Sequence, residues 1–167
     1  PNCYQPNADN LYKDQKQIKK EFHRFNFGLP KNEIVFCSFN SNYKITPIIF
    51  NAWMNILKKV EKSVLWILAY NKTAQQNLEL EAKKRGVDPK RIVFAEKISI
   101  IEDHLQRIKL ADIFLDTFPY NAHTSASDSI RMGLPLITMK GNSFASRVAA
   151  SILSSINMSG LITDNIN

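Results

Sequence analysis

The segment Leu115 to Met139, LDTFPYNAHTSASDSIRMGLPLITM, is apolar at both ends and crowds His123, Thr124, Ser125, Ser127 and Asp128 into the run between them. If that run opens a helix, its first backbone N–H groups have no internal partners and sit at the positive end of the helix dipole. Hydroxyls from Thr124 and Ser125 add donors, and the His123 imidazole adds another that becomes cationic beside a phosphate. Such a donor set is an anion site, and its size suits a diphosphate. Lys44, in NSNYK just ahead of another helix start, supplies a point charge from a neighbouring loop. Asp128 follows Thr124 by one helical turn and only accepts while ionised, which suits the diol of a ribose. His104 and Arg107, three apart in EDHLQR, share one helix face. A plainer reading competes at each position. Ser125-x-x-Asp128 is also a capping-box variant, and an aspartate near a helix start is favourable without any ligand. Arg107 has Glu102 and Asp103 within local reach, and His104 and Lys44 are ordinary solvent-facing types.

Elements that would gather these residues are visible from residue 34 onward, where short apolar runs alternate with longer amphipathic stretches, the pattern of parallel strands joined by crossover helices. The spacing predicts strands over Ile34 to Phe39, Ser63 to Tyr70, Ile92 to Ala95, Ile113 to Asp116 and Pro135 to Met139. Helices are predicted over Pro47 to Val60, Ala74 to Arg85, Ile101 to Lys109, Ser125 to Met132 and Ser143 to Ser154. Thr46 before Pro47 is a capping hydroxyl followed by a first-turn proline, and RGVDP and MGLP put glycine where helices end. The strands are nearly continuous in hydrophobicity, as they are when helices cover both faces. The fold class is therefore α/β, a doubly wound, mostly parallel Rossmann-like sheet, whose ligands bind beyond the carboxyl ends of the strands. KGNSFASRVAASIL forms a second turn-to-helix start there, with Arg147 on its first turns as a packing or ion-pair residue. Residues 1–30 fit less well and read as a linker or docking segment, with LYKDQKQIKKEF as a modest amphipathic helix; residues 31–167 form the domain.

With 167 residues, 44% of them hydrophobic and 22% charged, the chain is one ordinary domain and too apolar for disorder. No apolar run reaches the ~18 residues of a membrane span. The formal charge of +7 raises nucleic acid as a partner, but the lysines are scattered and no aromatics interleave them, so none is expected. Cys3 and Cys37 lie far apart without ligand spacing, which points to a reducing compartment, a cytoplasmic location and no metal. Neither G-x-G-x-x-G, a P-loop nor a G-x-S-x-G elbow occurs. The first residue is Pro1 rather than methionine, which suggests a segment of something longer.

The stretch LADIFLDTFPYNAHTSASDSIRMGLPLITMKGNSFASRVAASIL resembles the protein O-linked N-acetylglucosaminyltransferase family, including its bacterial tetratricopeptide-repeat members and the plant SPINDLY relatives. PNCYQPN and GLPKNEIVFCSFNSNYKITPIIFNAWMNILKKVEKSVLWIL extend the likeness over nearly the whole chain. The resemblance implies the C-terminal, donor-binding half of a GT-B glycosyltransferase. It implies that His123, Thr124 and Ser125 bind the donor diphosphate and that Asp128 binds the ribose. It also implies that Lys44 stabilises the leaving group catalytically and that His104 and Arg107 face the base. The activity implied is inverting, metal-independent transfer of N-acetylglucosamine from UDP-GlcNAc to Ser or Thr hydroxyls of an acceptor protein, leaving UDP. A catalytic base is expected from an N-terminal catalytic domain, and acceptor recruitment from tetratricopeptide repeats, neither of which lies in these residues. Ser41 stands where the animal enzymes have glutamine, Ser125 where they have threonine, and Ile101 where they have a base-contacting lysine. GDP-fucose, the SPINDLY donor, therefore remains the alternative to UDP-GlcNAc, and a non-catalytic nucleotide-binding module is the alternative to an enzyme.

Overall fold

The computed structural model describes residues 21–166. Its strands are β1 (Ile34–Ser38), β2 (Ser63–Leu68), β3 (Ile92–Ala95), β4 (Ile113–Leu115), β5 (Leu136–Met139) and β6 (Ile162–Thr163). They form one six-stranded sheet in the order β3-β2-β1-β4-β5-β6, with every pairing parallel. The chain steps outward from β1 to β3, then returns to the other side of β1. The strand order reverses between β1 and β4, which makes that the switch point of a doubly wound sheet.

Helices α1 (Pro47–Lys59) and α2 (Lys72–Lys84) cover one face. Phe50, Trp53, Met54 and Leu57 of α1 pack there with Phe36, Leu65 and Leu115. Helices α3 (Ile101–Ile108), α4 (Thr124–Arg131) and α5 (Val148–Ser155) cover the other, where Leu105, Ala126, Val148 and Leu153 close on Val35, Trp66, Phe114 and Leu136. Strands buried from both sides explain their unbroken hydrophobic runs. Thr46 caps α1 as expected, accepting from the Ile49 N–H. Helix α2 starts two residues before its expected position because Asn71 Oδ1 accepts from Ala74 N at 2.6 Å and makes the cap. Gly86 and Gly133 turn the chain out of α2 and α4 at φ of 75° and 79°.

The segment expected as one helix from Ser143 to Ser154 is instead a 3-10 turn, Phe144–Ser146, followed by α5. Asn121 N takes the Ala145 carbonyl and Gly141 N the Ser146 carbonyl, both at 2.9 Å, so neither is left for a continuous helical ladder. Strand β6 was not expected, since two residues show no periodicity; it pairs Ile162 and Thr163 with Thr138 and Met139.

Of the first thirty residues, 21–30 are described. Arg24–Phe27 form a 3-10 turn, Leu29 is buried, and Phe27 lies 5.3 Å from the Trp66 ring. Arg24 donates to the Leu110 carbonyl at 3.0 Å and to the Asp112 carboxylate at 2.8 Å. Most of the helix expected over LYKDQKQIKKEF, and Cys3, lie outside the described residues. Among the described residues no helix is long and apolar enough to cross a membrane.

Candidate functional site

Just past β4 the chain turns around a buried carboxylate. Asp116 accepts from the backbone N–H groups of Thr117 at 2.7 Å and Ala122 at 2.6 Å, from the Thr138 hydroxyl at 2.7 Å, and from Asn40 Nδ2 at 3.2 Å. Burial pushes its pKa up to about 6, and these donors pull the other way. Thr117 donates its hydroxyl to the Tyr120 carbonyl at 2.6 Å, and Asn121 Nδ2 returns to the Thr117 carbonyl at 2.8 Å. Thr46 fastens the same loop to the start of α1 through the Phe118 carbonyl at 3.0 Å. Residues 116–122 are thereby a closed, internally bonded turn that delivers His123 to the head of α4. Asn40, Asp116 and Asn121 are all buried polar groups that sequence reasoning missed; the available signal was an apolar strand ending directly in polar residues.

Helix α4 begins at Thr124, one residue before its expected position, with His123 as N-cap and no side chain capping it. The Ser125 hydroxyl donates to Asn40 Oδ1 at 2.9 Å rather than closing on its own helix. Among the described residues no hydrogen bond reaches the Asp128 carboxylate, although Asp128 is only 6% exposed. Burial raises its pKa, opposed by Arg131. The Ser125–Asp128 capping box is therefore absent. Thr124 is exposed at the first helical position.

Lys44 ends a 3-10 turn, Asn42–Lys44, that follows β1. Its ammonium donates to the Asn121 carbonyl at 3.0 Å and lies 3.8 Å from the centre of the Tyr120 ring. Burial lowers its pKa, while the Asp116 carboxylate opposes the shift. The His123 ring is 5.2 Å from Tyr120 and 6.3 Å from Phe144. Its pKa is lowered by burial first and by the Lys44 charge second, against the Ala145 carbonyl it bonds. Lys44, His123 and Ser125 thus meet where β1 and β4 diverge, the crevice at which open α/β sheets bind ligands.

His104 and Arg107 sit on α3, and Arg107 turns inward at 2% exposure. Its guanidinium bonds the Glu96 carbonyl and His104 Nδ1, the latter at 3.1 Å, and lies 4.8 Å from the Phe39 ring centre. It does not use its local acids. Burial, and then the Arg107 charge, push His104 down to about 4. Phe39 ends the β1 side of this contact, so both residues are tied to the same sheet edge as Lys44. Arg147 donates to the Gly141 carbonyl at 3.2 Å, a local tie within the loop after β5. Among the described residues no three His, Cys, Asp or Glu gather in one place as a metal ion would need.

Residues 13–167 match the family model described as glycosyl transferase family 41. This chain belongs to glycosyl transferase family 41. It is 40% identical over 139 residues to the UDP-N-acetylglucosamine-peptide N-acetylglucosaminyltransferase of Caenorhabditis elegans, covering 83% of this chain and 12% of that protein. It is 35% identical over 158 residues to the Arabidopsis thaliana protein named probable UDP-N-acetylglucosamine-peptide N-acetylglucosaminyltransferase SEC, covering 91% of this chain and 16% of that one. The family 41 chain therefore spans under a fifth of the length of these curated relatives. Among solved structures it matches a variant of the Thermobaculum terrenum O-GlcNAc transferase with a TM-score of 0.77 and 26% identity, over 80% of this chain and 26% of that one. The sheet order and this likeness make the fold the Rossmann-like half of a GT-B glycosyltransferase.

Proposed function

We propose that this family 41 chain is the donor-binding part of an inverting transferase that moves N-acetylglucosamine from UDP-GlcNAc to Ser or Thr hydroxyls of a protein. The observation that carries the reading is the convergence of Lys44, His123 and Ser125 at the uncapped start of α4. The chemical difficulty of the transfer is the negative charge left on the departing diphosphate. Preorganised donors in a crevice offset that charge without rearranging during the reaction. Here the helix N-terminus, the Thr124 hydroxyl, the Ser125 hydroxyl turned to the ligand from Asn40 Oδ1, and the His123 imidazole hold the phosphates, and Lys44 supplies the cation, so the reading assigns this role to side chains rather than a metal. Asp128 takes the ribose: a buried carboxylate beside Arg131, to which no hydrogen bond is made among the described residues, is the acceptor a diol satisfies. His104 lies toward the base. The catalytic base, the acceptor groove and any recruiting repeats are assigned to parts of a longer, cytoplasmic protein.

The test is a calorimetric titration of the chain with UDP, with GDP as competitor and His123→Ala as control. Saturable binding of UDP in preference to GDP, lost in the variant, is expected. A folded chain that binds neither nucleotide would refute the reading, and preference for GDP would transfer it to a guanosine donor.

A further inference from the structure

We infer that Arg107 is a positioning residue that fixes the tautomer of His104, so that a neutral imidazole presents one N–H donor, on Nε2, to the base of the bound nucleotide. The purpose of that donor rests on the nucleotide reading above; the positioning itself rests on geometry. Arg107 Nε lies 3.1 Å from His104 Nδ1. A guanidinium has donors and no acceptor, and it keeps its charge in proteins. Nδ1 must therefore be the accepting nitrogen, which leaves the ring's single proton on Nε2. Protonating Nδ1 would set an N–H against the guanidinium, in keeping with the downward shift of the imidazole. The ring is also packed edge-on against Phe39, at 5.9 Å and 68°, which restrains its plane.

Arg107 is itself immobilised. It is 2% exposed, lies over the Phe39 ring at 4.8 Å, and its Nη1 donates to the Glu96 carbonyl just past β3. One planar group thus joins three pieces of the crevice edge: the end of β1, the loop leaving β3, and His104 one turn back on α3. A lysine keeps a cation here but has no fixed fork, so it cannot hold both partners in one plane. A fixed N–H donor favours a base edge that offers a carbonyl oxygen or a ring nitrogen, and an imidazole free to exchange tautomers would lose that preference.

The test combines long-range ¹⁵N–¹H correlation spectra of the imidazoles with UDP titration, on the wild type and on Arg107→Lys. In the wild type His104 is expected as the Nε2–H tautomer and neutral at pH 6. In a folded Arg107→Lys variant we expect mixed tautomers, a raised His104 midpoint and UDP binding weakened about tenfold, the equivalent of one hydrogen bond. An Nδ1–H tautomer in the wild type overturns the positioning role without needing any variant to fold, and an unchanged tautomer in folded Arg107→Lys overturns it too. Tautomer exchange as expected in a chain that binds no UDP overturns the nucleotide reading instead.

Discussion

Lys44 shows how one side chain acquires a role from its surroundings. Its ammonium is held by a carbonyl and an aromatic face, neither of which neutralises it, so its charge stays available to an incoming anion. On the proposed reading that charge matters most as the leaving diphosphate develops, so in the full-length protein Lys44→Ala should lower kcat by about 10²-fold or more while UDP affinity falls far less. Steady-state kinetics beside titration separate the two, and equal losses would remove the assignment. Two groups, buried Asp116 and half-buried His104, set opposite pH trends. Asp116 moves from 3.8 to about 6, so between those values the folded chain holds a proton that the unfolded chain has released, and stability falls as pH rises. Asp128 adds to that trend. His104 moves from 6.5 to about 4, so the unfolded chain binds the extra proton and stability rises with pH across that window. His123 adds to this second trend. Urea midpoints of wild type and His104→Gln should therefore diverge as pH rises from about 4 to 6.5, with the wild type gaining. A constant gap would show that the imidazole does not titrate as described.

The loop after β5 depends on a glycine for space rather than for an unusual backbone angle. A Cβ on Gly141 would come within 2.8 Å of Ser146 Cβ and 2.9 Å of Phe118 Cε2. Both neighbours belong to the framework of the site: Ser146 closes the 3-10 turn with Ser143, and Phe118 lies in the bonded turn after β4. Gly141→Ala should cost roughly 1–3 kcal/mol by overpacking, read as a lowered denaturation midpoint. It should also weaken UDP binding, because the Asn121–Ala145 backbone bond that seats His123 spans the same contact. An unchanged midpoint would mean that the loop yields freely.

On the proposed reading, the molecule as a whole holds one side of a transfer reaction. Lys44, His123 and Ser125 follow β1 and β4 at the switch in strand order, and the family relatives the chain matches are several times longer. The chain alone is accordingly expected to bind UDP and to transfer no sugar to a peptide acceptor from labelled UDP-GlcNAc. Transfer by the isolated chain would place a catalytic base within these residues and overturn the division of labour proposed here.

Local signals in the chain were sufficient for the alternating strands and helices, for the cap at Thr46, and for the polar run that begins α4. Each of these depends on residues near one another in sequence, through hydrophobic period, capping chemistry or turn propensity. Tertiary contacts settled the rest. Whether Ser125 caps its helix or turns away depends on Asn40, which is 85 residues distant in the chain. Whether residues 143–154 form one helix depends on carbonyls claimed by Asn121 and Gly141. The inward turn of Arg107 depends on Glu96 and Phe39, and the two-residue β6 exists only because β5 offers it an edge. Hydrogen bonds between distant segments leave no period in a sequence, because either partner alone has other ways to satisfy its polar atoms; burial in the folded sheet removes those alternatives.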